Sequence, residues 1–194
     1  MRRPHFNRSV AERGFTFVEL VIAVGIVAIL ASAAVMVSPL AIRTAAADSS
    51  LQAVVKELRE AREQAIADRR NILVEFLAPN QIRITRRDVN AGVEVGTTVL
   101  ETVTIEGRLQ FGLVDGVPDT PDGFGNGTAI DFAEAESYMF TSEGSFVDQT
   151  GDPLNGTVFL APVTGDQQMA RAVTIFGPTA LVRGYRWNGA AWTN

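Results

Sequence analysis

The chain has 194 residues, of which 46% are hydrophobic and 20% charged, so it can bury a core and is not a disordered polymer. It has no cysteine and one histidine, His5, which excludes disulfides and thiolate chemistry and argues against histidine-dependent hydrolases and zinc enzymes. The net charge is −5. Without the four arginines and one glutamate of the first 14 residues, 13 basic and 21 acidic residues leave −8, a poor match for nucleic acid or an anionic membrane surface.

Residues 1–14 are a basic leader, and residues 15–42 are an apolar run whose only charge before Arg43 is Glu19. The run is long enough to cross a bilayer as a helix. Because the arginines lie before it, the leader is expected in the cytoplasm. The sequence therefore predicts a single-pass membrane protein with a cytoplasmic N-terminus and a head outside the cytoplasm.

Three kinds of segment share this outline. They are a plain membrane anchor, a secretory signal peptide cut after Ala31-Ser32-Ala33, and a helix that is retained after cleavage in front of it. A carboxylate at the centre of a membrane helix costs roughly 2.5–3.5 kcal/mol, and a plain anchor or signal peptide gains nothing from it. A helix that starts at Phe15 does gain, because Glu19 then lies one turn from a new α-amino group and can meet the amine of a neighbouring helix.

The stretch from Arg13 to Leu20, which reads RGFTFVEL, resembles the prepilin-peptidase recognition pattern of type IV pilins and type II secretion pseudopilins. The resemblance implies cleavage after Gly14, N-methylation of Phe15, and a role for Glu19 in the docking of subunits. It implies prepilin peptidase, other pilin or pseudopilin subunits and the inner membrane as partners. It implies neither a cofactor nor a metal.

Residues 43–70 are predicted to form an amphipathic helix that continues the apolar run and ends near Arg69-Arg70, with Pro39 as the expected site of a kink or break. The expected buried face consists of Leu51, Val54, Val55, Leu58, Ala61, Ala65 and Ile66. The charged residues on the opposite side are interpreted mainly as a solvated face, with Lys56–Glu60 and Arg59–Glu63 pairs one turn apart. A face for docking a partner is the alternative.

Residues 71–194 are predicted to form a β-rich head, because the apolar spacing changes to that of strands separated by Gly, Pro, Asn and Asp. The fold class is α+β, with the long N-terminal helix packed on an antiparallel sheet, as in pilins. The predicted strands are 72–76, 81–86, 93–105, 108–111, 128–132, 157–163, 170–176 and 181–187.

The order of motifs in residues 138–187 resembles the H-type (GspH/FimT-like) minor pseudopilins and minor pilins. Those relatives often end in a Gly-Arg-x-Arg turn that serves DNA uptake in FimT-like proteins, and of the corresponding residues 180–183 only Arg183 matches. Arg183 and Arg186, with Tyr185 and Trp187, are candidates for contact with single-stranded DNA. The alternative is a strand whose aromatic side chains belong to the core, and the acidic head makes nucleic acid an unfavourable partner.

The loop 115–126 is rich in aspartate, so calcium binding and a plain turn-forming loop are both open, although the spacing does not fit an EF-hand. Ser142 and Ser145 have no histidine to activate them, so the chain is not expected to be an enzyme.

The predicted function is a minor pseudopilin or pilin subunit at or near the tip of a type II secretion pseudopilus or type IV pilus. A FimT-like DNA-uptake pilin is the alternative.

Overall fold

The computed structural model describes residues 15–90, 93–133 and 135–194, leaving out the side chains of residues 33–40. One long helix, α1 (Phe17–Asp68), is followed by strands. The chain divides into two compact units, residues 1–41 and 42–194. The helical assignment continues through position 39, so the helix does not end at Pro39, and a kink there stays a prediction.

The described strands number eleven, and two short 3₁₀ turns (Gln167–Met169 and Gly177–Thr179) flank the ninth. The strands are β1 (Ile72–Leu77), β2 (Gln81–Asn90), β3 (Val93–Thr104), β4 (Leu109–Phe111), β5 (Ile130–Asp131), β6 (Tyr138–Phe140), β7 (Phe146–Asp148), β8 (Gly156–Pro162), β9 (Arg171–Phe176), β10 (Leu181–Trp187) and β11 (Trp192–Thr193).

The strands of the antiparallel head form two sheets. The first has the order β3-β2-β1-β6-β7, and the second has the order β11-β10-β9-β8-β4. The short strand β5 also pairs with β8, opposite Thr157 and Val158, whereas β4 lies opposite residues 160–162. All of these pairings are antiparallel, so the predicted α+β class with an antiparallel head is confirmed.

One hydrophobic core joins the second half of α1 to both sheets. The helix contributes Ala47, Leu51, Val54, Val55, Leu58, Ala61 and Ala65. The first sheet contributes Ile72, Val74, Ile82, Ile84, Phe140 and Phe146, and the second contributes Val158, Leu160, Val173, Ile175 and Val182. Helix and strand meet closely at Gly184, where an added Cβ would lie 3.3 Å from a Leu51 methyl carbon. A Cβ at position 184 would therefore require the Leu51 side chain to shift by a few tenths of an ångström.

The buried stripe of α1 agrees with the prediction except at its edges. Ile66 was expected in the core but is 43% exposed, whereas Ser50 and Glu57 are buried. Since successive helical residues are about 100° apart, these differences mean that the stripe is rotated toward Ser50 and Glu57 and away from Ile66. The Glu57 carboxylate keeps a cationic partner, since the Lys56 ammonium lies 3.1 Å from it.

The predicted strand positions hold for eight strands, with shifted ends. The segment predicted at 128–132 shrinks to β5, and β2 extends four residues beyond its predicted end. Three short strands, β6, β7 and β11, were missed.

Helix α1 ends at Asp68, where Arg69 adopts a φ of 51°. The N–H of Arg70 then donates to the Ala65 carbonyl, and the N–H of Arg69 donates to the Ile66 carbonyl. These two bonds form the Schellman arrangement that closes many helices.

Candidate assembly site

The N-terminal end of α1 is closed by reciprocal hydrogen bonds between Thr16 and Glu19. The backbone N–H and the hydroxyl of Thr16 both donate to the Glu19 carboxylate, each at 2.9 Å. The Glu19 N–H donates in return to the Thr16 hydroxyl oxygen at 3.3 Å. This arrangement is a capping box, which satisfies N–H groups that the first turn of a helix leaves without carbonyl partners.

The capping box changes the interpretation of Glu19. A threonine followed three residues later by glutamate, in front of an apolar run, is a sequence pattern for a helix start that the prediction missed. Any helix that begins here, whether cleaved or not, gains from this carboxylate, so it was wrong to expect no gain for a plain anchor. The charge of Glu19 alone no longer separates the three kinds of segment. The prediction of cleavage therefore depends on the combination of Glu19 with Gly14 and Phe15, and Gly14 lies outside the described residues.

The first half of α1 is apolar on every side. All side chains from Phe15 to Ser32 are exposed, and Phe15 itself is 87% exposed. The large apolar side chains among them are Phe15, Phe17, Val18, Leu20, Val21, Ile22, Val24, Ile26, Val27, Ile29 and Leu30. A helix that is hydrophobic all round is normally buried, either in a protein core or in a membrane. Within the part of the chain that the structure describes, no helical stretch combines the length and the hydropathy required to cross a membrane.

The second half of α1 is held on the head by two arginines that share one carboxylate. Arg171 on β9 is only 2% exposed, and its Nε donates to Asp48 at 2.9 Å. Its Nη1 donates to the carbonyls of Gln168 at 3.0 Å and Ala170 at 2.9 Å. Arg186 on β10 lies 3.1 Å from the same Asp48 oxygen. A buried guanidinium with three acceptors is well satisfied, so this cluster fixes the helix to the second sheet.

Two arginines on the helix itself, Arg59 and Arg62, also form hydrogen bonds with the head. Arg59 donates to the Val182 carbonyl at 3.3 Å, and Arg62 donates to the Gly144 carbonyl at 3.0 Å. The predicted Lys56–Glu60 pair is present at 2.8 Å, and its hydrogen bonds raise the pKa of Lys56. The predicted Arg59–Glu63 pair does not form among the described residues. Arg59 is exposed and Arg62 is half-buried, so this face of the helix is solvated as predicted, but both side chains also bind backbone carbonyls of the head.

The candidate DNA contacts are occupied within the chain. Arg183 donates to Asp122 at 2.6 Å, and the attraction of that carboxylate raises the pKa of Arg183. Asp122 also accepts hydrogen bonds from the Tyr185 hydroxyl at 3.0 Å and from Thr174 at 2.6 Å. Burial, reinforced by the bond to Asp122, raises the pKa of Tyr185. Arg186 is held by Asp48, as described above.

The aromatic neighbours of these arginines are not open to bases. Tyr185 and Trp187 are both buried, so neither presents a ring face on which a base could stack. Asp122 comes from the loop 112–127, which lies over this side of the second sheet. Trp192 Nε1 donates to Pro118 O at 2.8 Å, and Gln167 Nε2 donates to Asp115 O at 2.7 Å. The structure thus favours the strand interpretation of residues 181–187 over a DNA-binding surface.

The acidic loops use their carboxylates to hold their own backbone. Asp119 accepts from the N–H of Thr120 at 2.6 Å and of Gly125 at 3.1 Å. Asp131 accepts from the Gly127 N–H at 2.8 Å. In the next loop, Asp148 accepts from the Thr150 hydroxyl at 2.7 Å and from three backbone N–H groups, and these bonds lower the pKa of Asp148. In the described ranges, no group of three or more His, Asp or Glu side chains is arranged to hold a metal ion.

Comparisons with known proteins bear on the N-terminal segment. Residues 10–35 match the model of the prokaryotic N-terminal methylation motif. The chain is also similar to the minor pseudopilin EpsH from the type 2 secretion system of Vibrio cholerae, with a TM-score of 0.45 and 17% sequence identity. That match covers 75% of this chain and 99% of EpsH. A search of curated proteins finds no match. The resemblance predicted from residues 13–20 is thus confirmed, and the chain carries a prokaryotic N-terminal methylation motif at the start of its long helix.

Proposed function

We propose that the chain is a minor pseudopilin-type subunit of a type II secretion pseudopilus, or a minor pilin of a type IV pilus. Prepilin peptidase cuts it between Gly14 and Phe15, and Phe15 is N-methylated. The single observation that carries the proposal is the methylation motif over residues 10–35, placed directly at the start of α1.

The exposed apolar half of α1 gives the proposal its mechanism. Before assembly, this half lies in the inner membrane, with the leader in the cytoplasm and the head in the periplasm. After assembly, the same side chains are covered by equivalent helices of neighbouring subunits at or near the filament tip. A surface that is covered in both states accounts for the exposure of these apolar side chains among the described residues.

Glu19 is the group proposed to select the neighbouring subunit. Among the described residues, its carboxylate is bound by Thr16, through two donors that leave acceptor positions free, since a carboxylate has about four. The α-amino group of Phe15 on an adjacent subunit can bind there without displacing the capping box. A charged pair in an apolar bundle is costly if either partner is missing, so the pair sets the register between the helices.

The arrangement of the head supports a structural role. The charged side chains that the helix and the loops bring together are bound to each other or to backbone groups, as at Asp48, Asp122 and Asp148. DNA uptake finds no support, because Arg183 and Arg186 are held by carboxylates and the nearby aromatic side chains are buried.

Mass spectrometry of the mature N-terminus tests the proposal. The protein is expressed with and without a prepilin peptidase, purified from membranes and digested. We expect an N-methylated peptide that begins at Phe15, only when the peptidase is present. Gly14→Val is the matched variant, because a branched side chain at the cut site should leave the full precursor. A mature chain that begins at Ala34, or an uncut chain in the presence of the peptidase, would overturn the proposal.

A further inference from the structure

Strand β3 is the longest strand of the head, with 12 residues, and it forms an edge of the first sheet. Among the described strands it pairs with β2 alone, so the backbone groups on its other side face solvent. A row of unpaired N–H and C=O groups is a template on which a further strand can add.

The side chains of β3 are as open as its backbone. Every residue of the strand is exposed except Val103, which is half-buried. Val93 and Val95 are each 65% exposed, and Val99 and Leu100 also face solvent. Four large apolar side chains on one uncovered strand are a strong departure from an ordinary surface, where such residues are scattered singly.

The edge lacks two of the usual protections against pairing. No lysine, arginine or proline occurs between Asp88 and Gly107. Natural edge strands commonly carry lysine or proline to prevent addition of another strand. The pairing with β2 has two bulges, at Leu100 and Val95, but the runs 96–99 and 101–104 between and beyond them remain regular.

The carboxylates on β3 determine which charged side chains an added strand would need. Glu94 is paired with Arg87, and Asp88 is paired with Arg86. Glu101 is exposed and has no cationic partner among the described residues, so it is the free carboxylate of the strand. A second copy of β3 would bring further carboxylates against it, and like charges on paired strands destabilise them. A strand with basic side chains is complementary.

We propose that β3 is a docking edge that accepts an extended strand from a different polypeptide, with alternating apolar and basic side chains. Main-chain hydrogen bonds to the open edge supply the affinity, the valines pack against the apolar partners, and Glu101 pairs with a lysine or arginine. The inference goes beyond the proposed function and does not depend on cleavage at Gly14.

Binding of a synthetic probe to the full-length protein in a nonionic detergent tests the proposal. The probe is a fluorescent eight-residue peptide of alternating valine and lysine, and its affinity is measured by anisotropy. One control peptide has glutamate in place of lysine. A second control keeps the lysines but carries methyl groups on alternate backbone nitrogens, which removes strand pairing while leaving the charge. We expect the first peptide to bind at least about tenfold more tightly than either control, a difference of about 1.4 kcal/mol in binding free energy.

Two variants locate the binding on β3. Glu101→Lys should weaken binding of the valine–lysine peptide about tenfold, whereas Glu143→Lys, at an exposed carboxylate elsewhere, should change it little. Hydrogen exchange of backbone amides in residues 96–104 should slow when the peptide is bound. Tryptophan fluorescence checks that both variants are folded.

The proposal is overturned if the backbone-methylated peptide binds equally well, because the attraction is then only electrostatic. It is also overturned if the acidic peptide binds equally well, if no peptide binds, or if Glu101→Lys has no effect. A concentration-dependent dimer that Val99→Lys abolishes would instead identify a second copy as the occupant. None of these results bears on whether the chain is cut before Phe15.

Discussion

Arg171 is buried on β9, and its guanidinium donates to the Asp48 carboxylate of α1 at 2.9 Å. Asp48→Asn removes the charge that this guanidinium and that of Arg186 share. Loss of one partner of a buried charged pair is strongly destabilising, but Asp48 is partly exposed and Arg171 keeps two carbonyl acceptors. We expect a loss of about 2 kcal/mol in the free energy of unfolding.

The measurement is urea denaturation of the protein in detergent, followed by the fluorescence of the buried Trp187. Asp115→Asn is the matched control, since that aspartate is exposed and its side chain makes no bond within the described residues. Equal stability of the two variants would mean that the cluster does not hold the helix.

Thr16 and Glu19 can be separated by mutation. Thr16→Ala removes the capping hydroxyl and should cost about 1 kcal/mol of helix stability while leaving the carboxylate for docking. Glu19→Ala removes both functions. We expect both precursors to be cut and methylated at Phe15, but only the Glu19 variant to be missing from sheared filaments in immunoblots. If Thr16→Ala is lost from filaments as completely as Glu19→Ala, the role of Glu19 is explained by the helix cap alone.

The end of α1 offers a stabilising substitution. Arg69 has a φ of 51°, a conformation that costs a residue with a Cβ about 1 kcal/mol relative to glycine. Arg69→Gly should therefore raise the free energy of unfolding by somewhat less than this, because glycine also gains freedom in the unfolded chain. Arg70→Gly, at the next position, has no positive φ to relieve and should not stabilise the protein. Urea midpoints of the two variants decide the question.

Asp122 should control the loop 112–127. Asp122→Ala removes the acceptor of Thr174, Arg183 and Tyr185 at once. We expect faster proteolysis within this loop and faster amide exchange in β10, with the helix unaffected. Asp115→Ala, which removes an exposed carboxylate from the same loop, should leave the cleavage rate unchanged. A protected loop in the Asp122 variant would show that the hydrogen bonds of Trp192 and Gln167 are sufficient to hold it.

Acid should reveal the role of Asp148. Because hydrogen bonds from Thr150, Gly151 and Asp152 lower the pKa of Asp148 in the folded state, its contribution to stability is present above the ordinary value of 3.8 and is lost as the pH falls below it. Asp148→Asn cannot titrate. We expect urea midpoints of the wild type to fall more steeply than those of the variant between about pH 4.5 and pH 2.5. Parallel pH profiles would contradict this assignment.

Local patterns account for what could be predicted. Two features were predictable because each depends only on residues close together in the sequence. They are the apolar spacing of residues 51–65 and the recognition pattern around Gly14, Phe15 and Glu19. The strands β6 and β7 were missed because each has three residues, and β6 is held by pairing with β1, far away in sequence. The buried face of α1 is rotated toward Glu57 because of where the two sheets lie. The local spacing of apolar residues carries no information about the position of the sheets.

The contacts that organise the head are equally non-local. Asp48 and Arg171 are separated by 123 positions, so no spacing rule relates them. Asp122 and Arg183 are 61 positions apart. Arg183 and Arg186 were singled out by a resemblance to a DNA-uptake turn and by their aromatic neighbours. Their carboxylate partners, Asp122 and Asp48, come from a loop and from the helix, and these contacts give each arginine a structural role. The Thr16 cap is the exception, since its pattern was present in the sequence.

The attachment of α1 to the head has a mechanical consequence. From Asp48 to Arg62 the polar contacts extend over about four helical turns, with Arg59 between them. In the proposed filament, a push or a pull would load this helix along its axis. Because these contacts are spaced along that axis, they share the load and do not break one after another. The attachment of the helix to the head therefore resists shear. The head can therefore follow the helix under tension without peeling from it.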